Sequence, residues 1–113
     1  MLDIENIKKQ IVFSLMPLNP HKIVLFGSYA YGVPTKHSDI DLYIVTNDDF
    51  IPQNFKEESE IYLQYSQKIR DLQKIIPIDI ITHTKAMYKK FVSLESSFSK
   101  EIETTGDILW VEN

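Results

Sequence analysis

Two aspartates, Asp39 and Asp41, stand in the apolar run "DIDLYIV", and ten residues separate them from the Gly27-Ser28 turn upstream. Strand interiors disfavour Asp. A buried carboxylate without a partner either costs on the order of several kcal/mol or takes up a proton. Alternate side chains of a strand share a face, so Asp39 and Asp41 project together while Ile40, Leu42 and Ile44 take the other side. Two readings follow. Either the pair reaches water at a strand end, or a cation sits between the carboxylates. The stretch "PIDII" repeats the anomaly, with Asp79 alone among Pro77, Ile78, Ile80 and Ile81.

The rest of the chain supplies a frame for these carboxylates. Ile4, Ile7, Ile11 and Leu15 recur at helical spacing behind Asp3, a suitable N-cap, and "PLNPH" ends that helix. "KIVLF" is a short apolar run rich in β-branched residues, the pattern of a strand covered on both faces. Gly27-Ser28 turns the chain, "YAYG" forms a brief helix, and "VPTKHS" reads as a loop. "DIDLYIV" is the second strand and "TNDDFIPQN" a loop. Lys56 to Lys74 carries the longest helical pattern, with Ile61, Tyr65, Ile69 and Leu72 on one stripe. "IDIIT" after Pro77 is a third strand, helices follow over Lys85 to Val92 and Leu94 to Thr104, and "GDILWVE" closes as a turn and short edge strand. The fold class expected is α/β (α+β), a small mixed β-sheet packed by helices on one or both faces.

At 113 residues the chain is expected to form one domain, 1–113, with a core large enough to need no staples. The absence of cysteine excludes disulfides and thiolate metal sites. A net charge of −4 argues against a general nucleic-acid binder, which needs a basic face. The first residues mix acids with apolar groups and do not resemble a signal peptide. No apolar run approaches the ~20 residues of a membrane span. The cytoplasm is therefore the expected location.

Asp79 can converge on Asp39 and Asp41 if its strand lies beside theirs, at ~4.8 Å. Three close carboxylates raise one another's pKa, and a divalent cation removes that penalty. A few hard oxygen ligands leave open positions for water and phosphate, the usual way of holding Mg²⁺ at phosphoryl-transfer sites. Gly27 between strand and helix lets backbone N–H groups approach an anion. Ser28 adds a hydroxyl for a phosphate oxygen, or else serves as a helix N-cap. His37 reads as a solvated loop residue, His21 and His83 carry no signal, and Tyr29, Tyr31 and Tyr43 read as core or rim packing with base stacking as the alternative.

"GS", ten residues, then "DID", with a later strand aspartate, resembles the signature of the polymerase-β-type nucleotidyltransferase superfamily in its minimal (MNT) form. The resemblance covers most of the chain and implies a nucleotidyltransferase fold. It assigns Gly27 and Ser28 to the nucleotide triphosphate, Asp39 and Asp41 to the divalent metals, and Asp79 to the metal and the acceptor hydroxyl. It implies Mg²⁺, at a two-metal site, and ATP as substrate, with transfer of AMP to a hydroxyl. Free-standing minimal members of the family pair with a helical HEPN toxin and modify a toxin tyrosine, which implies an antitoxin and a hetero-oligomer. One position departs from the pattern. Tyr31 stands where the family's "GSxARG"-like turn has arginine, and tyrosine makes no forked phosphate contact. Arg70, the single arginine, and Lys36 and His37 beside the aspartates are the candidate substitutes. Two other readings stay open: a binding module that neutralises its partner by contact, and a small-molecule nucleotidyltransferase of the antibiotic-modifying type working as a homo- or hetero-oligomer.

Overall fold

The computed structural model describes residues 3–113. Helix α1 (Ile4–Leu15) starts at Asp3, whose carboxylate accepts the Asn6 N–H at 3.1 Å, and ends in a 3₁₀ turn over Met16–Leu18. Strand β1 (Lys22–Phe26) runs into the four-residue helix α2 (Ser28–Tyr31), and β2 (Ile40–Thr46) returns beside β1. Helices α3 (Phe55–Lys68) and α4 (Arg70–Gln73) lead to β3 (Ile78–Thr84). Helices α5 (Lys85–Ser93) and α6 (Ser97–Thr105) precede β4 (Asp107–Val111).

The sheet order is β3-β2-β1-β4. β1 pairs antiparallel with β2 and β4, whereas β2 and β3 are parallel. A parallel pair needs a long crossover, and α3 with α4 supplies it. Mixed sheet and flanking helices match the expected fold class. The inner strand β1 is buried along Ile23, Val24 and Leu25, and its alternating side chains enter two separate cores, as a run apolar on both faces requires. One core joins Ile23, Leu25, Ile40, Leu42 and Ile44 to the apolar stripes of α1, α3 and α4. The other is smaller and aromatic, setting Val24, Tyr43 and Val45 against Ile102 of α6 with Phe26, Tyr88, Phe91 and Phe98 around them.

Several boundaries differ from the sequence expectation, among them the end of β3, which runs to Thr84 and not Thr82. The long helical pattern is two helices, because Ile69 leaves helical geometry at φ −108° and ψ 15°. Its side chain is fully buried with Leu72 in the core shared with α1, and that packing overrides the continuous periodicity. Helix α6 begins at Ser97, where the Ser96 hydroxyl caps the Ser99 N–H at 3.1 Å. β2 begins at Ile40, so Asp39 lies just outside the strand it was expected to open.

Candidate active site

The parallel register sets Asp41 of β2 directly opposite Asp79 of β3, and the antiparallel register sets Phe26 on the other flank of Asp41. Neighbouring strands lie ~4.8 Å apart and paired residues point to one face. Asp41 and Asp79 therefore meet on the face covered by α5 and α6. Asp41 is half-buried, and Asp79 is exposed because β3 is an edge strand. Asp39 is exposed on the approach to β2 and lines a cavity of about 830 Å³ with Tyr29, Lys36, His37 and Pro77.

The turn above Asp41 is held by glycine for two reasons. Gly27 has φ 76° and ψ −155°, a region that L side chains avoid, and a Cβ there would overlap Oδ2 of Asp41. The bare Gly27 backbone thus lies against the Asp41 carboxylate. Gly27 is also the cap position of α2, so Ser28 is the first helical residue and not the N-cap. The Gly27 carbonyl accepts the Ala30 and Tyr31 N–H groups, at 3.0 and 3.3 Å.

Burial pushes the Asp41 carboxyl above the usual carboxylate range, and the charges of Asp79, Asp39 and Glu101 push it further in the same direction. Among the described residues none of these four carboxylates has a Lys, Arg or His partner within ion-pair distance. A small, hard cation suits such a donor set: few carboxylate oxygens, unneutralised, beside an open backbone turn. Among the described residues no three His, Asp or Glu side chains are grouped closely enough to hold a metal ion together, so Asp39 does not complete a three-carboxylate cluster with Asp41 and Asp79. Asp41 and Asp79 are the two carboxylates that the strand register brings face to face.

Glu101 of α6 escaped sequence reading, since nothing in "SFSKEIETT" separates it from an ordinary solvent-facing helix acid. It accepts a hydrogen bond from the Tyr31 hydroxyl. That bond holds the Tyr31 phenol above its usual range, with lesser contributions from desolvation and the nearby charges of Glu101 and Asp41. Where the minimal family has an arginine, this chain has a phenol tied to a carboxylate. Arg70 is exposed on α4, whose neighbours Ile69 and Leu72 enter the opposite core. Lys36 and His37 do share the Asp39 cavity. Tyr43 is core: fully buried, its hydroxyl shares a 2.7 Å hydrogen bond with Nδ1 of His83, and burial lowers the His83 pKa. Tyr29 packs against the larger core. His21 pairs with Glu112 at 3.2 Å, away from these carboxylates.

Comparison with known proteins identifies a family and a fold. A nucleotidyltransferase domain family model matches residues 4–105. A Methanocaldococcus jannaschii protein, provisionally named a protein adenylyltransferase, is 37% identical over 70 residues, which span 62% of this chain and 63% of that relative. The match thus spans less than two thirds of the relative's length. A toxin–antitoxin complex solved with AMP-PNP superposes with a TM-score of 0.61 at 21% identity, covering 94% of this chain and 74% of that one. A Shewanella oneidensis complex of a tri-AMPylated HEPN toxin with an MNT antitoxin gives 0.52 at 17% identity, covering 96% and 72%. At these identities the two structures speak for a shared fold.

Proposed function

Because the chain belongs to the nucleotidyltransferase domain family, we propose that it transfers AMP from ATP to a hydroxyl with Mg²⁺, the acceptor being a tyrosine of a HEPN-type partner toxin. The chain would then act as an antitoxin. The observation that carries this reading is the facing pair Asp41 and Asp79 beneath the Gly27 turn, with no Lys, Arg or His among the described residues within ion-pair distance of them. The relative named a protein adenylyltransferase and the two toxin–antitoxin complexes support the reading.

In this reaction the acceptor oxygen forms a bond to the α-phosphorus, the bond from that phosphorus to the β-bridging oxygen breaks, and pyrophosphate leaves. Asp39 and Asp41 would hold the metal from the β2 side and Asp79 from the β3 side. Bound there, Mg²⁺ supplies charge neutralisation on the transferring group and lowers the acceptor's pKa. Gly27 offers a backbone without a Cβ to the β- and γ-phosphates, and Ser28 offers a hydroxyl. Lys36 and His37 stand where they can meet phosphate charge from the Asp39 side. Asp79, exposed at the sheet edge, is open to an incoming acceptor.

Tyr31 favours a second reading, a module that neutralises its partner by contact alone, since its phenol is engaged with Glu101 and offers no positive charge. One experiment separates the two. The purified chain is added to an extract of its source cells with Mg²⁺ and ATP labelled at the α-phosphate. Transfer predicts a labelled protein that is lost with Asp41→Asn and with Asp79→Asn. Absence of label, or label that persists in both variants, overturns the proposal.

A further inference from the structure

The edge of the sheet beyond Asp79 is built unlike the opposite edge. β4 pairs with β1 through a register irregularity between Ile23 and Val24, a common way of blunting an edge. β3 has no such break: its seven residues from Ile78 to Thr84 pair in unbroken register with β2, and none is Lys or Pro. The Pro77 carbonyl accepts the Ile40 N–H, so the backbone groups of Asp79, Ile81 and His83 face β2 by alternation. Those of Ile78, Ile80, Thr82 and Thr84 face outward. At Ile78 both outward groups are taken by one side chain, since Gln73 Oε1 accepts its N–H and Gln73 Nε2 donates to its carbonyl, each at 2.7 Å. At Thr84 the N–H meets the Met87 sulfur at 3.5 Å. Between these two plugs, Ile80 and Thr82 have no partner for their outward N–H and C=O groups among the described residues.

Those four groups open into a cavity of about 530 Å³ whose walls include Phe55 and Tyr62 of α3 and Met87 of α5. Phe55 is 81% exposed and Tyr62 42% exposed. Glu58 is the one acid in the lining and no Lys or Arg accompanies it. Alternating N–H and C=O groups along a groove with apolar walls are complementary to an extended backbone, and the lone acid to a basic side chain.

We propose that this edge docks an extended segment of a partner protein as an added strand. The segment exchanges hydrogen bonds with the backbone of Ile80 and Thr82, sets apolar side chains against Phe55, Tyr62 and Met87, and carries a Lys or Arg towards Glu58. The Gln73 clamp ends the pairing beside Asp79. Docking of this kind needs neither nucleotide nor Asp41, so its outcome is independent of the labelling experiment above.

The test screens the full chain against a phage-displayed library of random dodecapeptides. The expected winners alternate apolar residues and include a basic one. Their affinity should fall about tenfold on Thr82→Pro, which removes an outward N–H without touching the β2 ladder. Thr82→Val keeps that N–H and should bind as the wild type does. In the wild type, bound peptide should slow hydrogen exchange at the Ile80 and Thr82 amides, a readout that decides the matter even if the proline variant fails to fold. The proposal is overturned if no peptide is enriched, or if bound peptide leaves those amides unprotected. It is overturned equally if the chain alone forms a dimer that Thr82→Pro dissolves, because the occupant is then a second copy.

Discussion

Half-buried under the Gly27 turn, the Asp41 carboxyl is raised first by desolvation and then by the charges of Asp79, Asp39 and Glu101. Its ordinary value of 3.8 applies to the unfolded chain. Between that value and the raised one, the folded state binds more protons than the unfolded state. Stability therefore falls as pH rises through this window, and the penalty persists at higher pH. Asp41→Asn removes the titrating group while keeping the shape. Its Tm should exceed that of the wild type at neutral pH, and the difference should shrink as pH drops below the ordinary carboxylate value. Mg²⁺ should raise the wild-type Tm at neutral pH and leave the variant nearly unchanged. Thermal unfolding followed across the acid-to-neutral range, with and without Mg²⁺, measures both effects. A variant that melts below the wild type at neutral pH would mean that Asp41 stabilises the fold through contacts, and that the site carries no stored repulsion.

At the scale of elements, Gln73 controls how the Asp79 strand begins. Ile78 is buried, and its backbone N–H and C=O would be left without partners if the Gln73 amide were removed. Gln73→Ala should cost about 2 kcal/mol, the sum of two modest hydrogen bonds and some desolvation. Urea denaturation should show a lower midpoint at unchanged slope, and hydrogen exchange should quicken at Ile78 before it does elsewhere in β3. Gln73 ends the short helix α4 that follows the break at Ile69, a break the residues themselves do not announce. Helical spacing marked α1 and the stripe of Ile61, Tyr65, Ile69 and Leu72, because those positions are buried, all but Ile61 in one core. It could not mark the break, which follows from packing against α1, nor the extension of β3 to Thr84. The site was legible in the same uneven way. Carboxylates in apolar runs are conspicuous, so Asp41 and Asp79 stood out and their register brought them face to face. Asp39 stood out equally but sits outside β2, exposed beside the cavity lined by Lys36 and His37. Glu101 was invisible, since only the docking of α6 brings an ordinary helix acid to Tyr31 and Asp41.

For the whole molecule, the two faces of the sheet are unequal, and the site lies on the thinner side. The larger core ties α1, α3 and α4 to the sheet through Ile11, Leu15, Ile23, Leu42, Ile44 and Ile69, all fully buried. On the other face, α5 contributes no fully buried residue, and α6 contributes Ser99 and Ile102. Aromatic rings fill the gap there, with Tyr43 stacked on Phe91 at 5.0 Å and Phe98 edge-on to Phe26 at 5.3 Å. Local opening free energies follow buried apolar contact, so α5 and α6 should open below the global transition while β1, β2 and α1 stay closed. Native-state hydrogen exchange in low denaturant should resolve two groups of amides, with α5 and α6 in the faster one. Ile102→Ala should widen the gap, speeding exchange in α6 with little change in α1, whereas Leu42→Ala should cost about 3 kcal/mol and lower both groups together. A single exchange class for all helices would show that the two cores unfold as one unit. The distinction bears on function because α6 carries Glu101, the partner of Tyr31. A partial opening of α6 would break the Tyr31–Glu101 bond while leaving in place the β2–β3 register that sets Asp41 against Asp79.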